Sequence, residues 1–118
     1  TSSDYATLKY SPAGKRLWTA RYNGPANGYD GAAAVGIDRA GNVYVAGSSW
    51  VSESNIADYV VLKYAPDGSL RSTRRYDGPG QGLDQVEAMI VDIAGRVFVT
   101  GSSFGVETLT DFATVRFQ

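Results

Sequence analysis

Neither cysteine nor histidine occurs among the 118 residues of this chain. The absence of cysteine excludes disulfides, cysteine-ligated zinc, thiol nucleophiles and cysteine redox chemistry. The absence of histidine excludes a Ser-His-Asp triad and histidine-ligated metals. Only carboxylates, tyrosine, serine, threonine, lysine and arginine remain for catalysis, and no cofactor is predicted.

Charge and long apolar runs are scarce as well. Charged residues make up 19% of the chain, and 11 basic side chains stand against 12 acidic ones, so the formal net charge is −1. Because a nucleic-acid-binding surface needs a basic excess, no nucleic-acid partner is predicted. The longest apolar run, residues 32–37, is far shorter than the roughly 20 residues of a membrane-spanning helix. No membrane span is predicted, whereas 43% apolar residues predict a packed core.

What the sequence does contain is an internal repeat. The segment Asp-Tyr-Ala-Thr-Leu-Lys-Tyr at 4–10 returns as Asp-Tyr-Val-Val-Leu-Lys-Tyr at 58–64 and as Asp-Phe-Ala-Thr-Val-Arg-Phe at 111–117. The chain is therefore read as a single repeat domain over 1–118. Repeat one spans 4–57, repeat two spans 58–110, and a partial third repeat spans 111–118.

Each repeat holds four short segments with the residue types of β-strands. Between 5 and 10, for example, Ala6, Leu8 and Tyr10 share one face, as strand periodicity requires. Between the segments, four turn sequences end in glycine, which is typical of a type I turn with a left-handed glycine in a β-hairpin. The predicted strands lie at 5–10, 17–22, 32–37, 43–48, 58–64, 71–76, 86–91, 97–101 and 112–117.

Four antiparallel strands in a tandem repeat of about 53 residues are typical of a β-propeller blade. The predicted fold is therefore all-β, with tandem four-stranded antiparallel blades, about two blades and nine strands in total. A β-solenoid is the main alternative, although its repeats are usually shorter.

The repeated motifs also resemble a known family, the bacterial SBBP repeat. They are Asp-Tyr-x-x-Leu-Lys-Tyr, Pro-x-Gly, Arg-Tyr-x-Gly-Pro and Asp-x-Ala-Gly-x-Val-Tyr-Val-x-Gly-Ser-Ser, and they cover nearly the whole chain. The resemblance implies propeller blades, which usually occur as many copies in a large secreted or cell-surface bacterial protein. It implies no enzymatic activity, and it places this protein outside the cell or on its surface.

Two repeats are too few to close a propeller ring. The predicted strands group into two outer strands, one complete blade and three strands of another, which leaves unpaired edges and an apolar sheet face in water. The chain is either an excised fragment or a subunit that assembles with copies of itself into a ring or a filament, with exchange of a terminal strand. The residues predicted to carry the assembly are Asp4, Tyr5, Leu8, Tyr10, Asp111, Phe112, Val115 and Phe117.

Two glycine-rich loops, 24–30 and 78–84, are candidate binding sites. Asp30 and Asp84 have the ligand chemistry of a calcium site, but each loop offers one acid where calcium takes six to eight oxygens. The alternative is a tight crossover in which each aspartate caps backbone amides. For a glycan or protein ligand, the candidate residues are Asn27, Tyr29, Asp30, Gln81 and Asp84.

The remaining repeated side chains favour structural roles. Asp38 and Asp92 begin hairpin turns, so turn capping is favoured over a role as paired catalytic acids. Asp4, Asp58 and Asp111 recur together with Lys9, Lys63 and Arg116, as ion pairs between blades or as solvated edges. The copy-specific segments 51–57 and 105–110 are better functional candidates because they are not repeated.

The sequence thus predicts a non-enzymatic extracellular structural or interaction module that works as a homo-oligomer or polymer. The alternative is a lectin-like propeller fragment that binds a glycan or a protein through its glycine-rich loops. A carboxylate enzyme is the weakest hypothesis, because it would need two non-equivalent acids with shifted pKa values in one cleft.

Overall fold

A computed structural model describes residues 2–52 and 56–117 of the chain. These residues form strands connected by turns and loops, and no helix that could cross a membrane occurs among them. The strands are β1 (Tyr5–Tyr10), β2 (Arg16–Tyr22), β3 (Asp30–Ile37), β4 (Val43–Ser52), β5 (Ile56–Tyr64), β6 (Leu70–Tyr76), β7 (Gln85–Val91), β8 (Val97–Phe104) and β9 (Thr110–Phe117).

The strands form three antiparallel sheets in which neighbours along the chain pair with each other. The first sheet is β1-β2, the middle sheet is β3-β4-β5-β6, and the last sheet is β7-β8-β9. The all-β prediction and the grouping into two, four and three strands are confirmed. The middle sheet is thus a complete blade, whereas the first and last sheets are parts of blades.

Several strands extend beyond their predicted ends. β4 runs to Ser52, and the ladder to β5 continues through the pair Trp50 and Ala57. A loop was expected over the copy-specific segment 51–57, but residues 51, 52, 56 and 57 belong to strands, because the ladder between β4 and β5 continues past Trp50. Residues 53–55 lie outside the described part of the chain. β8 likewise runs on to Phe104, which leaves a loop at 105–109.

The predicted hairpin turns are confirmed by their backbone geometry. Gly14 and Gly41 have φ angles of 83° and 86°, and Gly68 and Gly95 repeat this conformation in the later hairpins. The amide of Gly14 donates to the carbonyl of Ser11 across 2.9 Å. A side chain at a positive φ angle is strained, so each turn uses glycine.

Two apolar cores hold the three sheets together. Between the first and middle sheets, Tyr5 packs with Val43, Val60 and Leu62. Between the middle and last sheets lies the second core, whose buried members are Tyr44, Ala46, Tyr59, Val61, Val86, Val97, Val99 and Phe117. The middle sheet is therefore covered on both faces. Full burial of a side chain such as Leu62 contributes about 1.5–3 kcal/mol to stability.

The strands β3 and β7 lie at equivalent edges of their sheets and run close to each other. Each contains a β-bulge, which interrupts the ladder at Ala33 in β3 and at Glu87 in β7. A Cβ atom on Gly36 would lie 2.8 Å from Cγ2 of Val91, so glycine at this position favours the close approach of β3 to β7. In the predicted grouping, 32–37 and 86–91 are the first strands of their blades, and β3 and β7 are indeed edge strands of their sheets.

Candidate functional site

The two glycine-rich loops are tied down by the buried aspartates at their ends. The amide of Gly24 donates to Oδ2 of Asp30 across 2.6 Å, and the amide of Gly78 donates to Oδ2 of Asp84 across 2.8 Å. Both carboxylates are about 1% exposed. Capping of backbone amides, the structural alternative for Asp30 and Asp84, is therefore observed in both repeats.

Asp84 also binds the strand beneath its loop. Its Oδ1 accepts hydrogen bonds from the Ser103 hydroxyl, at 2.7 Å, and from the Phe104 amide, at 3.1 Å. A Cβ atom on Gly78 would overlap Oγ of Ser103, so the loop needs glycine to come this close to β8. The Gly-Pro loop is thus a crossover that is fixed on the end of the neighbouring strand.

In repeat one, the serine equivalent to Ser103 is Ser49, and its hydroxyl accepts a hydrogen bond from Arg75. Nη2 of Arg75 donates to Oγ of Ser49 across 3.1 Å, and Nη1 donates to Oδ2 of Asp58 across 3.0 Å. Nη2 also reaches the Tyr22 hydroxyl, at 3.5 Å, and so connects β6 of the middle sheet to β2 of the first. The planar donors of this guanidinium hold β4, β5 and β6 of the middle sheet together and add a long contact to the first sheet.

The ion-pair partners differ from those predicted. Asp58 pairs with Arg75 on the neighbouring strand, and Asp4 lies 3.9 Å from Arg21 in the first sheet. Lys63 is instead held over the ring of Tyr44, with its Nζ 5.4 Å from the ring centre. The predicted pairs were between blades, whereas the two observed pairs of Asp4 and Asp58 each lie within one sheet.

One group of carboxylates among the described residues is close enough to share a cation. Oxygen atoms of Asp58, Asp77 and Asp84 all lie within 4.8 Å of one another. Burial raises the pKa of Asp58 above its ordinary value; Arg75 opposes this rise, and the charges of Asp77 and Asp84 add to it. Asp30 is not in this group, and calcium binding at Asp30 or Asp84 stays a prediction.

The turn aspartates accept hydrogen bonds within their own hairpins. The amide of Arg96, above all, lowers the pKa of Asp92, and the guanidinium of Arg96 bonds to the same carboxylate at 2.6 Å. Desolvation acts against a lower pKa at Asp38, but hydrogen bonds from Asn42 and Tyr44 lower it nonetheless. Both acids are shifted in the same direction, whereas an acid and base pair needs its pKa values moved apart.

The two glycine-rich loops do meet, at a cleft between the middle and last sheets. Tyr29 and Leu83, one from each loop, line a cleft of about 250 Å³ together with Trp50 and Glu87. The ring centres of Tyr29 and Trp50 are 6.0 Å apart. Of the other candidate ligand residues, Asn27 lines a separate depression beside Asp4, and Gln81 is exposed in its loop.

The predicted assembly strands lie at opposite ends of the layered structure. In β1, Tyr5 is buried against the middle sheet, while Leu8 and Tyr10 point outwards and are exposed. In β9, Val115 and Phe117 pack against the middle sheet. Phe112 is 95% exposed on the outer face of the last sheet, and Asp111 accepts a hydrogen bond from Thr108 at the start of the same strand.

The outward-facing positions are apolar because they repeat positions that are buried inside the molecule. Val60, Leu62 and Tyr64 of β5 pack against the first sheet, and their equivalents in β1 are Ala6, Leu8 and Tyr10. A second uncovered strip lies on β3, where Val35 and Ile37 are about two-thirds exposed. We call these two strips together the leading face. Sequence reasoning missed Val35 and Ile37, although their repeat equivalents, Met89 and Val91, belong to a core.

The opposite end carries the trailing face, which is the outer side of the last sheet. Its residues alternate with the buried ones of β7, β8 and β9 and are Ala88, Ile90, Phe98, Thr100, Phe112 and Thr114. Ile90 is 69% exposed. The same positions in the middle sheet, among them Tyr44 and Ala46, are buried against the last sheet. Both faces thus occupy the repeat positions of surfaces that bind each other elsewhere in the chain, with Ile90 standing where the middle sheet has Gly36.

Comparison with known proteins agrees with the fold. A family model described as the SBBP beta-propeller repeat matches residues 17–53 and confirms the resemblance read from the motifs. The matched segment begins in β2 and ends just after β4, so one family repeat crosses from the first sheet into the middle sheet. A search of curated proteins finds no match.

Proposed function

We propose that this chain, which contains an SBBP beta-propeller repeat, is a non-enzymatic interaction module outside the cytoplasm that assembles with copies of itself. The leading face of one copy binds the trailing face of the next. Repetition of this contact gives a closed propeller of two-blade subunits if the rotation closes, and a filament if it does not.

A single observation carries the proposal: equivalent residues are buried within the chain and exposed at its ends. Leu62 is fully buried against the first sheet, whereas Leu8, its equivalent in repeat one, faces solvent. The leading and trailing faces therefore have the apolar character of two surfaces that already bind each other in this fold. Large exposed apolar patches of this kind mark interaction sites.

The strand count supports the same conclusion. The first sheet holds two strands and the last holds three, so both are incomplete relative to the four-stranded middle sheet. The repeats of the sequence correspond to about two blades per copy. On that count three copies give six blades and four give eight, which are within the usual range of about 4–8.

Light scattering across a hundredfold dilution tests this proposal. We expect a species of three or four times the 12.6 kDa chain mass, or a heterogeneous large mass if a filament forms. Leu8→Lys places a charge in the leading face and should give a monomer that keeps its β-sheet spectrum. Ile93→Lys is the matched control, because Ile93 is exposed on a turn outside both faces. A wild-type monomer at every concentration would refute the proposal.

A second candidate function, glycan or protein binding, is favoured by the cleft between Tyr29 and Trp50. Aromatic rings beside the polar groups of Ser48, Gln85 and Glu87 give it both apolar and hydrogen-bonding surface. Calorimetric titration with a panel of oligosaccharides tests this function. Trp50→Ala should abolish any binding, whereas Tyr10→Ala, at an exposed ring outside the cleft, should leave it unchanged. No binding to any oligosaccharide would remove the glycan hypothesis.

A further inference from the structure

We infer that the cleft between the middle and last sheets binds an alkylammonium group, the chemistry shared by a lysine side chain and the trimethylammonium group of choline. The inference rests on the second candidate function, binding at this cleft, and names the chemical class of the ligand. Two aromatic rings, Tyr29 and Trp50, and one carboxylate, Glu87, line the same cleft of about 250 Å³. Aromatic faces beside a negative charge are the groups that recognise quaternary ammonium ligands.

The aromatic wall of the cleft comes from repeat one. The ring centres of Tyr29 and Trp50 are 6.0 Å apart, and the ring planes are inclined by 55°. Because of this inclination the rings do not stack face to face, and they leave a corner that suits a small rounded group. The backbone holds the pair together, since the amide of Trp50 donates to the carbonyl of Tyr29 across 3.0 Å. A wall that is already in place lowers the cost of ordering on binding.

The opposite wall comes from repeat two and is fixed to the middle sheet. Leu83 forms a parallel bridge with Ala57 of β5, and the amide of Asp84 donates to the carbonyl of Ala57 across 2.8 Å. The amide of Val86 donates to the hydroxyl of Ser48 across 3.2 Å and so connects β7 with β4. The two walls therefore belong to one hydrogen-bonded framework within a single chain.

The charge of the cleft comes from Glu87. Among the described residues that line the cleft, it is the single charged side chain, and it is exposed. The ion pairs of residues 2–52 and 56–117 use other acids, Asp4, Asp58 and Asp92. A carboxylate that is not neutralised by a neighbouring base attracts cations and repels anions. The ligand of this cleft is therefore cationic.

A β-bulge places Glu87 at the cleft. Its neighbours Val86 and Ala88 pair with successive residues of β8, and Glu87 has no residue opposite it. Bulges are common next to functional sites, where they change the direction of a side chain. The equivalent bulge in β3 is at Ala33, which lines the same cleft with a methyl group. The small residue on one side and the acid on the other leave room for a ligand that contacts the acid.

Comparison of the repeats separates the framework of this cleft from its chemistry. Tyr29 stands where repeat two has Leu83, and Glu87 stands where repeat one has Ala33. The blade therefore accepts leucine and alanine at these positions, and neither the tyrosine nor the glutamate is needed for folding. Two residues that differ from their repeat equivalents nevertheless meet at one cleft. We assign them to ligand binding for this reason.

The size and lining of the cleft select the kind of cation. Sites that bury drug-sized molecules measure roughly 300–1,000 Å³, so a cleft of about 250 Å³ suits a single headgroup or side chain. A calcium ion takes about six to eight oxygen ligands, whereas the lining supplies one carboxylate among aromatic and aliphatic groups. An alkylammonium group matches both parts, because its carbon atoms contact the rings while its charge faces Glu87.

Fluorescence titration with choline tests the inference. The chain has two tryptophans, so Trp18→Phe leaves Trp50 as the single reporter, and calorimetry on the unmodified chain gives a second readout. We expect saturable binding of choline. The neutral isostere, in which a tert-butyl group replaces the trimethylammonium, should bind roughly tenfold more weakly. Sodium chloride keeps the ionic strength equal in both titrations. Equal affinity for choline and the isostere would overturn the inference.

Two substitutions that introduce the residue of the other repeat test the assigned side chains. Tyr29→Leu keeps the apolar surface but removes the π face, so it should weaken choline binding roughly fivefold and leave the isostere unaffected. Glu87→Ala should weaken choline binding about threefold to fivefold, as expected for an exposed charge pair. Glu107→Ala removes an exposed acid outside the cleft and is the matched control, with no change expected. Unchanged choline affinity in both cleft variants would also overturn the inference.

A lysine analogue distinguishes the two sources of the ligand. Tighter binding of Nα-acetyl-lysine methylamide than of choline would assign the cleft to a lysine of a partner protein, and the reverse would assign it to a small quaternary ammonium compound. If neither shows saturable binding, the inference is refuted. Oligosaccharide binding without alkylammonium binding would refute the inference and leave the second candidate function standing.

The result is independent of assembly, because every residue of the cleft lies in one chain. The titration is therefore repeated with Leu8→Lys, and the same affinity for choline is expected. A wild-type chain that is monomeric at every concentration but binds choline would refute the assembly and support the alkylammonium site. An assembled chain that binds neither choline nor the lysine analogue would do the opposite.

Discussion

Leu8 and Leu62 occupy the same position in the two repeats, but Leu62 is fully buried whereas Leu8 is 44% exposed. Leu8 and Leu62 differ in exposure because different numbers of sheets pack against their strands. β5 has a sheet on either side, and β1 has one on a single side. The residue type therefore belongs to a buried position that this chain alone does not cover.

Tyr59→Phe is expected to destabilise the junction between the middle and last sheets. The Tyr59 hydroxyl is in reach of two carbonyl oxygens of the last sheet, those of Ser102 at 3.2 Å and Ala113 at 3.3 Å. Loss of these long hydrogen bonds should lower the free energy of unfolding by about 1 kcal/mol. Urea denaturation followed by circular dichroism measures the change.

The matched control for this substitution is Tyr5→Phe. Tyr5 is the equivalent of Tyr59 in repeat one and is equally buried, but its hydroxyl has no hydrogen-bond partner among the described residues. Removal of an unpartnered buried hydroxyl should leave stability unchanged or raise it. A loss at Tyr5 as large as the loss at Tyr59 would contradict this account of the interface.

Asp84→Ala is expected to loosen the crossover between the middle and last sheets. The buried carboxylate accepts hydrogen bonds from Gly78, Ser103 and Phe104, and all three donors would lose their partner. We expect a loss of about 2–3 kcal/mol in the free energy of unfolding, measured by chemical denaturation.

The control is Asp77→Ala, which removes an exposed charge from the same carboxylate group. It relieves repulsion without removing a buried acceptor, so stability should change by less than about 0.5 kcal/mol. Equal losses at the two positions would mean that charge, rather than hydrogen bonding, governs the effect at Asp84.

Arg75→Lys should weaken the contact between the first and middle sheets despite the retained charge. A lysine is a point charge and cannot reproduce the planar set of donors that binds Asp58, Ser49 and Tyr22 together. We expect a loss of about 1–2 kcal/mol, seen as a lower denaturation midpoint at unchanged slope.

The same substitution at the equivalent position, Arg21→Lys, separates the two environments. Arg21 is mostly exposed and lies 3.9 Å from Asp4, so the dilute chain should keep its stability within about 0.5 kcal/mol. An effect of Arg21→Lys on the dilute chain as large as that of Arg75→Lys would contradict the assignment.

Asp92 makes the turn between β7 and β8 sensitive to acid. The amide of Arg96 and its guanidinium lower the pKa of Asp92 below its ordinary value. A lowered pKa in the folded state adds stability that is complete above the pKa of the unfolded chain, about 4, and is lost as the pH falls through the folded-state value. The melting temperature of wild type should therefore exceed that of Asp92→Asn at pH 6, and the gap should close towards pH 2.

The substitution Glu107→Gln is the control for that experiment, because Glu107 is an exposed acid in the loop before β9. Its difference from wild type should be much smaller at pH 6. A difference between wild type and Asp92→Asn that widens on acidification would show that the sign of the pKa shift at Asp92 is wrong.

Most of the fold was predictable because the same strand and turn patterns occur in more than one repeat of the sequence. A turn such as 38–41 is ambiguous alone, but its return at 92–95 with the same aspartate and glycine fixes both as hairpins. Strand ends were less predictable. Trp50 continues the ladder beyond the predicted end of its strand because a partner, Ala57, lies across the hairpin. Such a pairing is not visible in local sequence.

The candidate site was predictable in its strands but not in its contacts. Periodicity placed Leu8 and Tyr10 on one face of β1, yet it did not say which face the chain would cover. The partner of Asp58 was missed because Arg75 lies 17 residues away and meets it only when β5 pairs with β6. Val35 and Ile37 are exposed because no strand of the two-stranded first sheet covers them. This follows from the arrangement of the three sheets and could not be predicted from local sequence.

The bulges at Ala33 and Glu87 have a consequence for solubility. They interrupt the ladders of β3 and β7, the strands at the edge where each blade begins, and an interrupted edge is a poor template for another strand. A chain with exposed apolar faces and regular edges at both ends of every blade would be prone to indiscriminate aggregation. With these two edges irregular, strands of other chains are less able to add to them, which lowers the tendency of the exposed apolar faces to lead to sheet aggregation.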